Sequence, residues 1–329
     1  KAPGSIMLMG EHAVIYNKPA LVAAVDKFIS ATLVKSAEKN TNKFQITSNL
    51  GVLVISIEDL LASKKVKHGN FSFVIEVIKY FINKNPGKTK NLFQYELQIS
   101  SELSSTVGLG TSAAVIVAVY KVFLDYLNIK EDKHVSFKNL KQIMLNVQKV
   151  GSGADIAASL YQGIVYFDSN NLSNIKVIDK NKLDNIPDVI LIYSGYKTKT
   201  ADVINIVKQN IDAVGVSIYS KIFDAIEECV NLGYKSIINN NYELLGKIFS
   251  IHQGLQDSLG VNDLVLSEII YNLRKDNNIL GSKISGSGLG DCILALLSPK
   301  YKSENHKIFN NNIFLDKYKI ISLSLSLLN

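Results

Sequence analysis

Residues 93–127 read Phe93-Gln-Tyr-Glu-Leu-Gln-Ile-Ser100, then Ser101-Glu-Leu-Ser-Ser-Thr-Val-Gly-Leu-Gly-Thr-Ser-Ala-Ala114, then an apolar run from Val115 to Leu127. Phe93, Tyr95, Leu97 and Ile99 alternate with Gln94, Glu96, Gln98 and Ser100, the period of a strand with one buried and one wet face. Ala113 to Phe123 follows as a mostly apolar helix. Between them, Gly108-Leu-Gly110-Thr-Ser112 sets two glycines and two hydroxyls at a helix start. Such a turn lets backbone N–H groups approach an anion with the positive end of the helix dipole behind them.

Four readings of this turn compete. Gly108-x-Gly110-x-x-Ala113 formally fits a dinucleotide fingerprint, but the strand before it alternates, whereas a doubly covered parallel strand is continuously apolar. The segment after the helix, Asn128 to Lys138, is polar where that fold needs another strand. No Gly-Lys-Ser/Thr stands at Walker A spacing. What remains is a phosphate cradle or a plain helix entry capped by Thr111 or Ser112.

The chain has 329 residues, long for one core, so two domains are expected, 1–185 and 186–329. Its 47% hydrophobic and 20% charged content is that of an ordinary globular protein. No run is long and apolar enough for a membrane span, and Lys1-Ala-Pro-Gly-Ser-Ile shows no secretory pattern, so a cytoplasmic protein is expected. Cys229 and Cys292 stand far apart, without a disulfide framework or zinc spacing. The net charge of +7 raises nucleic acid as a partner, yet Arg274 is the sole arginine and the lysines are scattered. A positive field of this kind suits small polyanions better.

Residues 2–35 read as a strand hairpin turning at Asn17-Lys18-Pro19, with Gly10-Glu11-His12 inside it. A carboxylate beside an imidazole in a core strand pair calls for a ligand or a buried hydrogen bond. Residues 43–56 read as further strands, and Phe71 to Ile82 as a core helix. A helix over Lys138 to Val150 ends at Gly151-Ser-Gly-Ala-Asp155, which puts a lone aspartate just inside the next helix, as cap or as chemistry, before a strand from Gly163 to Phe167. Polar 168–187 suits a junction. Val189 to Tyr193 reads as a strand, followed by a loop, Ser194 to Thr200, whose Lys197 and Lys199 either hold an anion or are solvated. Helices are expected at about 203–231, 241–258 and 262–275, then the glycine-rich Lys283 to Cys292 entering a strand from Ile293 to Leu297. The tail from Ile313 to Leu328 completes the second sheet.

Three blocks together resemble the GHMP kinases, the superfamily of galactokinase, homoserine kinase, mevalonate kinase and phosphomevalonate kinase. They are Ala2-Pro-Gly-Ser-Ile-Met-Leu-Met-Gly-Glu-His-Ala-Val14, Gly108-Leu-Gly-Thr-Ser-Ala-Ala114 and Lys283-Ile-Ser-Gly-Ser-Gly-Leu-Gly-Asp-Cys292, in the family's order and spacing over nearly the whole chain. The resemblance implies an α+β, two-domain fold, with an N-terminal domain like ribosomal protein S5 domain 2 and a ferredoxin-like C-terminal domain. It implies ATP with its phosphates on Gly108, Leu109, Gly110, Thr111, Ser112 and Ala113, and Mg2+ on Ser112. Asp155 matches the family's catalytic aspartate. Glu11, His12, Lys197, Thr200, Ser285, Gly286, Ser287 and Gly288 would face the substrate. Gly-Glu-His-Ala-Val and the length are most similar to mevalonate kinases, whereas Gln148 to Ser159 and Gly-Asp-Cys are closer to phosphomevalonate kinases. The expected acceptor is therefore mevalonate, with phosphomevalonate or the substrate of another GHMP sugar or metabolite kinase as the alternative, a homodimer left open and a non-catalytic nucleotide sensor as the rival class. Two positions depart from the pattern: Ser5 stands where many mevalonate kinases carry a lysine, and Met144 lies nearest the place of an acidic metal ligand.

Overall fold

The computed structural model describes residues 1–36, 43–61, 69–103, 107–171, 174–301 and 315–325. The chain opens with β1 (Ala2–Met9) and the long β2 (Ala20–Lys35), which pair antiparallel. β3 (Lys43–Ser48) and β4 (Gly51–Ser56) form a hairpin and lead into the short α1 (Ile57–Leu61) and then α2 (Ser72–Lys84). The alternating stretch forms β5 (Tyr95–Ser101) after a 3-10 turn at Leu92–Gln94, so Phe93 precedes the strand. Its apolar positions Leu97 and Ile99 are buried while Gln98 and Ser100 are exposed, as the alternation requires. Next come α3 (Thr111–Tyr126), α4 (Lys133–Gln148), α5 (Ala154–Tyr161), β6 (Ile164–Phe167) and β7 (Lys176–Val177).

These strands form one sheet, ordered β4-β3-β5-β2-β6-β7 with β1 also on β2, in which β3 and β5 are the parallel pair. α3 and α5 pack on β1 and β2, burying Ala113, Ala114, Ile116, Ala157 and Ala158. Small residues on those faces let both helix starts come close to the sheet, and so to each other.

A second, fully antiparallel sheet runs β11-β8-β10-β9. Its members are β8 (Val189–Lys197), β9 (Ile279–Ser285), β10 (Gly290–Leu297) and β11 (Lys319–Leu323). Between β8 and β9 lie α6 (Thr200–Val214), α7 (Val216–Ile238), α8 (Tyr242–Ser258) and α9 (Leu264–Leu273). Antiparallel pairing with helices set apart in sequence is an α+β arrangement, as expected.

Three details differ from the sequence reading, and the tail agrees with it. The stretch 203–231 is not one helix, because Gly215 takes φ 116° and separates α6 from α7. α4 starts at Lys133, capped by Asp132, whose carboxylate accepts from the His134 N–H, so part of the polar 128–138 segment is its first turn. β8 runs on through Lys197, so Ser194 to Lys197 belong to a strand rather than a loop. The tail contributes β11, with residues 313, 314 and 326–328 of that expectation outside the described residues.

Helix α8 lies on β9 through two glycines. A Cβ on Gly246 would fall 2.2 Å from the Leu280 carbonyl oxygen, and one on Gly281 equally close to the Gly246 carbonyl. Gly246→Ala gains about 1 kcal/mol of helix propensity, but overpacking against backbone costs about 1–3 kcal/mol and wins. Urea unfolding is expected to show a net loss of stability, and an equal or higher midpoint would disprove the contact.

Candidate active site

β1, the turn before α3 and the start of α5 meet at one side chain. Ser5, buried on β1, receives no Cβ from Gly110, whose absent side chain would lie 2.0 Å from the Ser5 hydroxyl. Gly110 has φ 61°, the left-handed region where glycine is favoured. The Ser5 N–H donates to the Leu109 carbonyl at 3.0 Å, and its hydroxyl donates to Asp155 Oδ1 at 2.9 Å. Asp155 is thereby fixed beside the 108–112 turn. Burial raises its carboxyl above the ordinary range, opposed by the Ser5 hydrogen bond and by the positive charge of Lys197.

No side chain caps α3. Thr111 and Ser112 are helical residues, so the plain-cap reading is corrected, and the first-turn amides keep no partner within the helix. Ser112 is exposed and Thr111 partly so. The Gly108 and Leu109 amides are taken, by Asp291 and by the Val107 carbonyl, so the open seat for an anion is the first turn of α3.

The second glycine-rich stretch is the β9–β10 hairpin turn. Gly286, Gly288 and Gly290 all take positive φ, as do Leu289 (φ 51°) and Asp291 (φ 65°). Asp291 turns its carboxylate back: Oδ1 accepts from the Gly108 N–H at 3.2 Å, and Oδ2 from Lys197 Nζ at 2.6 Å. The two glycine turns therefore touch, and Lys197 at the end of β8 closes the contact. Thr198 adds a hydrogen bond from its hydroxyl to the Leu289 carbonyl at 2.6 Å. Thr200, the first residue of α6, stays exposed and takes no part in these contacts.

Glu11 and His12 do not sit within a strand pair. They leave β1 in a tight turn where Gly10 has φ 102° and His12 has φ 60°. Glu11 Oε1 accepts from the fully buried Lys283 at 2.5 Å, and Lys283 also donates to the Ile284 carbonyl. Burial pushes the Glu11 carboxyl up and the Lys283 ammonium down, each held back by the other. Behind them on α8, His252 Nε2 accepts from the Gly10 N–H at 3.1 Å, which assigns the ring proton to Nδ1, 3.3 Å from Gln256 Oε1. Burial drives His252 well below its ordinary range, so it is neutral. His12 Nε2 donates to the Ser287 carbonyl at 2.8 Å and leaves Nδ1 buried without a partner. Ser285 is buried on β9, and Gly286 and Ser287 are partly open.

Ser5, Asp291 and His252 are site residues that sequence reasoning passed over as such. For Ser5 and Asp291 the available signal was polar side chains embedded in glycine-rich blocks. His252 gave none, since it reads as one polar residue on an amphipathic helix.

Similarity to known proteins agrees with this architecture. The family model for the GHMP kinases N terminal domain matches residues 72–163, and that for the GHMP kinases C terminal matches 234–310. The mevalonate kinase of Saccharolobus solfataricus is 30% identical over 323 residues, 96% of each chain. That of Methanothermobacter thermautotrophicus is 28% identical over 294 residues, 89% of this chain and 88% of the relative. The crystal structure of the Methanococcus jannaschii mevalonate kinase superposes with a TM-score of 0.82 at 21% identity, covering 100% of this chain and 97% of that one. The chain belongs to the GHMP kinase family, whose members are ATP-dependent kinases.

Removing one partner of a buried ion pair costs about 3–5 kcal/mol because it strands a charge. Lys283→Met is expected to lose stability on that scale in chemical denaturation, and adding Glu11→Gln to recover a substantial part. No recovery in the double variant would show that the pair is not the unit.

Proposed function

We propose that this kinase transfers the γ-phosphoryl group of ATP to the hydroxyl of mevalonate. The observation that carries the reading is the Ser5 contact, which sets Asp155 against the turn at Gly108 to Ala113 and the uncapped start of α3. In a loose phosphoryl transfer the protein chiefly positions reactants and balances charge. The acceptor oxygen bonds to the γ-phosphorus as the bond from that phosphorus to its β–γ bridging oxygen breaks. The bridging oxygen keeps the electron pair on ADP, and the hydroxyl proton passes to Asp155.

His12 supports a polyhydroxy acceptor, since its bare, buried Nδ1 suits a substrate O–H. Among the described residues no three His, Cys, Asp or Glu side chains cluster to hold a metal. The chain offers Mg2+ the exposed Ser112 hydroxyl, which fits an ion held mainly through nucleotide phosphates and water. Its chemistry there would be to offset phosphate charge. We also take the connection near residue 185 as the domain boundary, since one set of strands ends at Val177 and the other begins at Val189. No helix among the described residues is long and apolar enough to cross a membrane.

Coupled ADP release across mevalonate, phosphomevalonate, galactose and homoserine tests the reading. Mevalonate is expected to give the highest kcat/KM, and a preference for any other acceptor rejects it. Asp155→Asn is expected to lower kcat by about 100-fold or more while ATP binding, followed by calorimetry, is retained. Near wild-type turnover would remove Asp155 from the mechanism.

Ser5→Ala takes away a hydrogen bond to the ionised carboxylate, so the Asp155 pKa rises further. The acidic limb of the kcat/KM profile should then move to higher pH. An unmoved limb would mean that another group titrates there.

A further inference from the structure

Asp155 has a hydroxyl for its one hydrogen-bond partner among the described residues, which leaves open what balances charge when a phosphoryl group crosses in front of it. The Gly108 amide, Asp291 and Lys197 are hydrogen-bonded in series at the same turn that Ser5, the partner of Asp155, holds through the Leu109 carbonyl. Lys197 Nζ is 2.6 Å from Asp291 Oδ2, and the same carboxylate holds the Gly108 N–H through Oδ1. Lys197 stands opposite Gly290 in the β8–β10 register, which fixes its Cα at the hairpin turn. Its side chain remains 42% exposed, whereas that of Asp291 is 9% exposed, so the ammonium looks into the open space and the carboxylate does not. The Lys197 charge acts on Asp155. Lys283 is sealed against Glu11.

We propose that Lys197 is a catalytic cation of this kinase, held at the Gly108 turn to offset the charge of the transferring phosphoryl group, and that Asp291 is the positioning residue that aims it. The proposal rests on the kinase reading above but not on which alcohol is the acceptor. Asp291 tolerates its left-handed backbone better than most residues, and its second oxygen binds the nucleotide turn. Lysine and turn thus move as one unit. Phosphate oxygens arriving at the start of α3 would meet an ammonium already tied to that turn through Asp291, without the entropy of collecting a free lysine from solvent.

The competing role is structural: the pair could do no more than fasten β8 to the β9–β10 hairpin. A charge-removal cycle separates the two. Lys197→Met, Asp291→Asn and the double variant are purified, their folding checked by thermal unfolding, and kcat and KM measured with the acceptor that wild type prefers in the panel. A staple predicts that the double variant, with no unpaired charge, regains the wild-type rate. The proposal predicts a kcat lower by about 100-fold for Lys197→Met and no recovery in the double variant, with Lys197→Arg keeping part of the rate. Recovery in the double variant, or a wild-type kcat in Lys197→Met, overturns it. If Lys197→Met does not fold, Asp291→Asn carries the test, since it keeps the size and an acceptor for the Gly108 amide. A kcat lower by about tenfold or more with an unchanged melting temperature supports the aiming role, and an unchanged kcat overturns it. A wild type that prefers another alcohol while Lys197→Met is crippled would sink mevalonate and keep the lysine. A wild type that prefers mevalonate with an indifferent Lys197 would do the reverse.

Discussion

Where Ser5 meets Gly110, a hydroxyl occupies the volume that any other residue at 110 would fill with its Cβ. That single close approach lets one serine use its backbone on Leu109 and its side chain on Asp155 at once. The start of α5 is thereby registered against the start of α3, with two N-terminal helix ends facing the same opening. A positive helix end favours both a bound phosphate and an ionised carboxylate. The site follows from packing the two helices on β1 with small residues, and a larger side chain at 110 would separate the base from the anion seat.

The second constraint lies behind the first. Glu11 leaves β1 on one sheet and Lys283 rises from β9 on the other, 272 residues apart in sequence, and they pair in complete burial. A buried pair of this kind is weak support for stability on its own, because desolvation offsets much of its Coulomb attraction. Its effect here is on geometry: the β9–β10 hairpin cannot swing from the β1 exit without stranding a charge. Neutral His252 completes the seam by accepting from Gly10, and Gln253 does so by accepting from the Ile284 N–H at 2.8 Å. The two halves of the fold share one apolar core around these polar groups, with Phe249, Leu191 and Cys292 packed among residues of the first sheet.

Much of this was legible in the chain itself, wherever the signal was local. The alternation of Tyr95 to Ser100 gave β5, the apolar spacing of Phe71 to Ile82 gave α2, and the glycines at 108 and 110 marked the turn that β1 approaches. Signals that depend on distant partners were not legible. Asp291 read as one letter of a glycine-rich block because its partners lie 183 and 94 residues away. Lys283 read as a motif residue, since periodicity cannot show that a lysine on a strand is sealed. The break at Gly215 was hidden because the apolar spacing on either side of it continues, and a left-handed backbone leaves no trace in hydrophobic pattern. The family resemblance supplied Asp155. Ser5, listed there as a departure from pattern, proved to be its hydrogen-bond partner.

Three carboxylates surround the opening, and their environments separate their roles. Glu11 is held by an ammonium in a dry pocket and cannot take a substrate proton without stranding Lys283. Asp291 is occupied on both oxygens, by an amide and by an ammonium. Asp155 accepts one neutral hydrogen bond and its carboxyl is raised by burial, and of the three it alone has no ammonium paired with it among the described residues. The proposed assignment of Asp155 as the base rests on that difference in partners, and the proposed role of Lys197 on its being the more exposed member of the pair with Asp291.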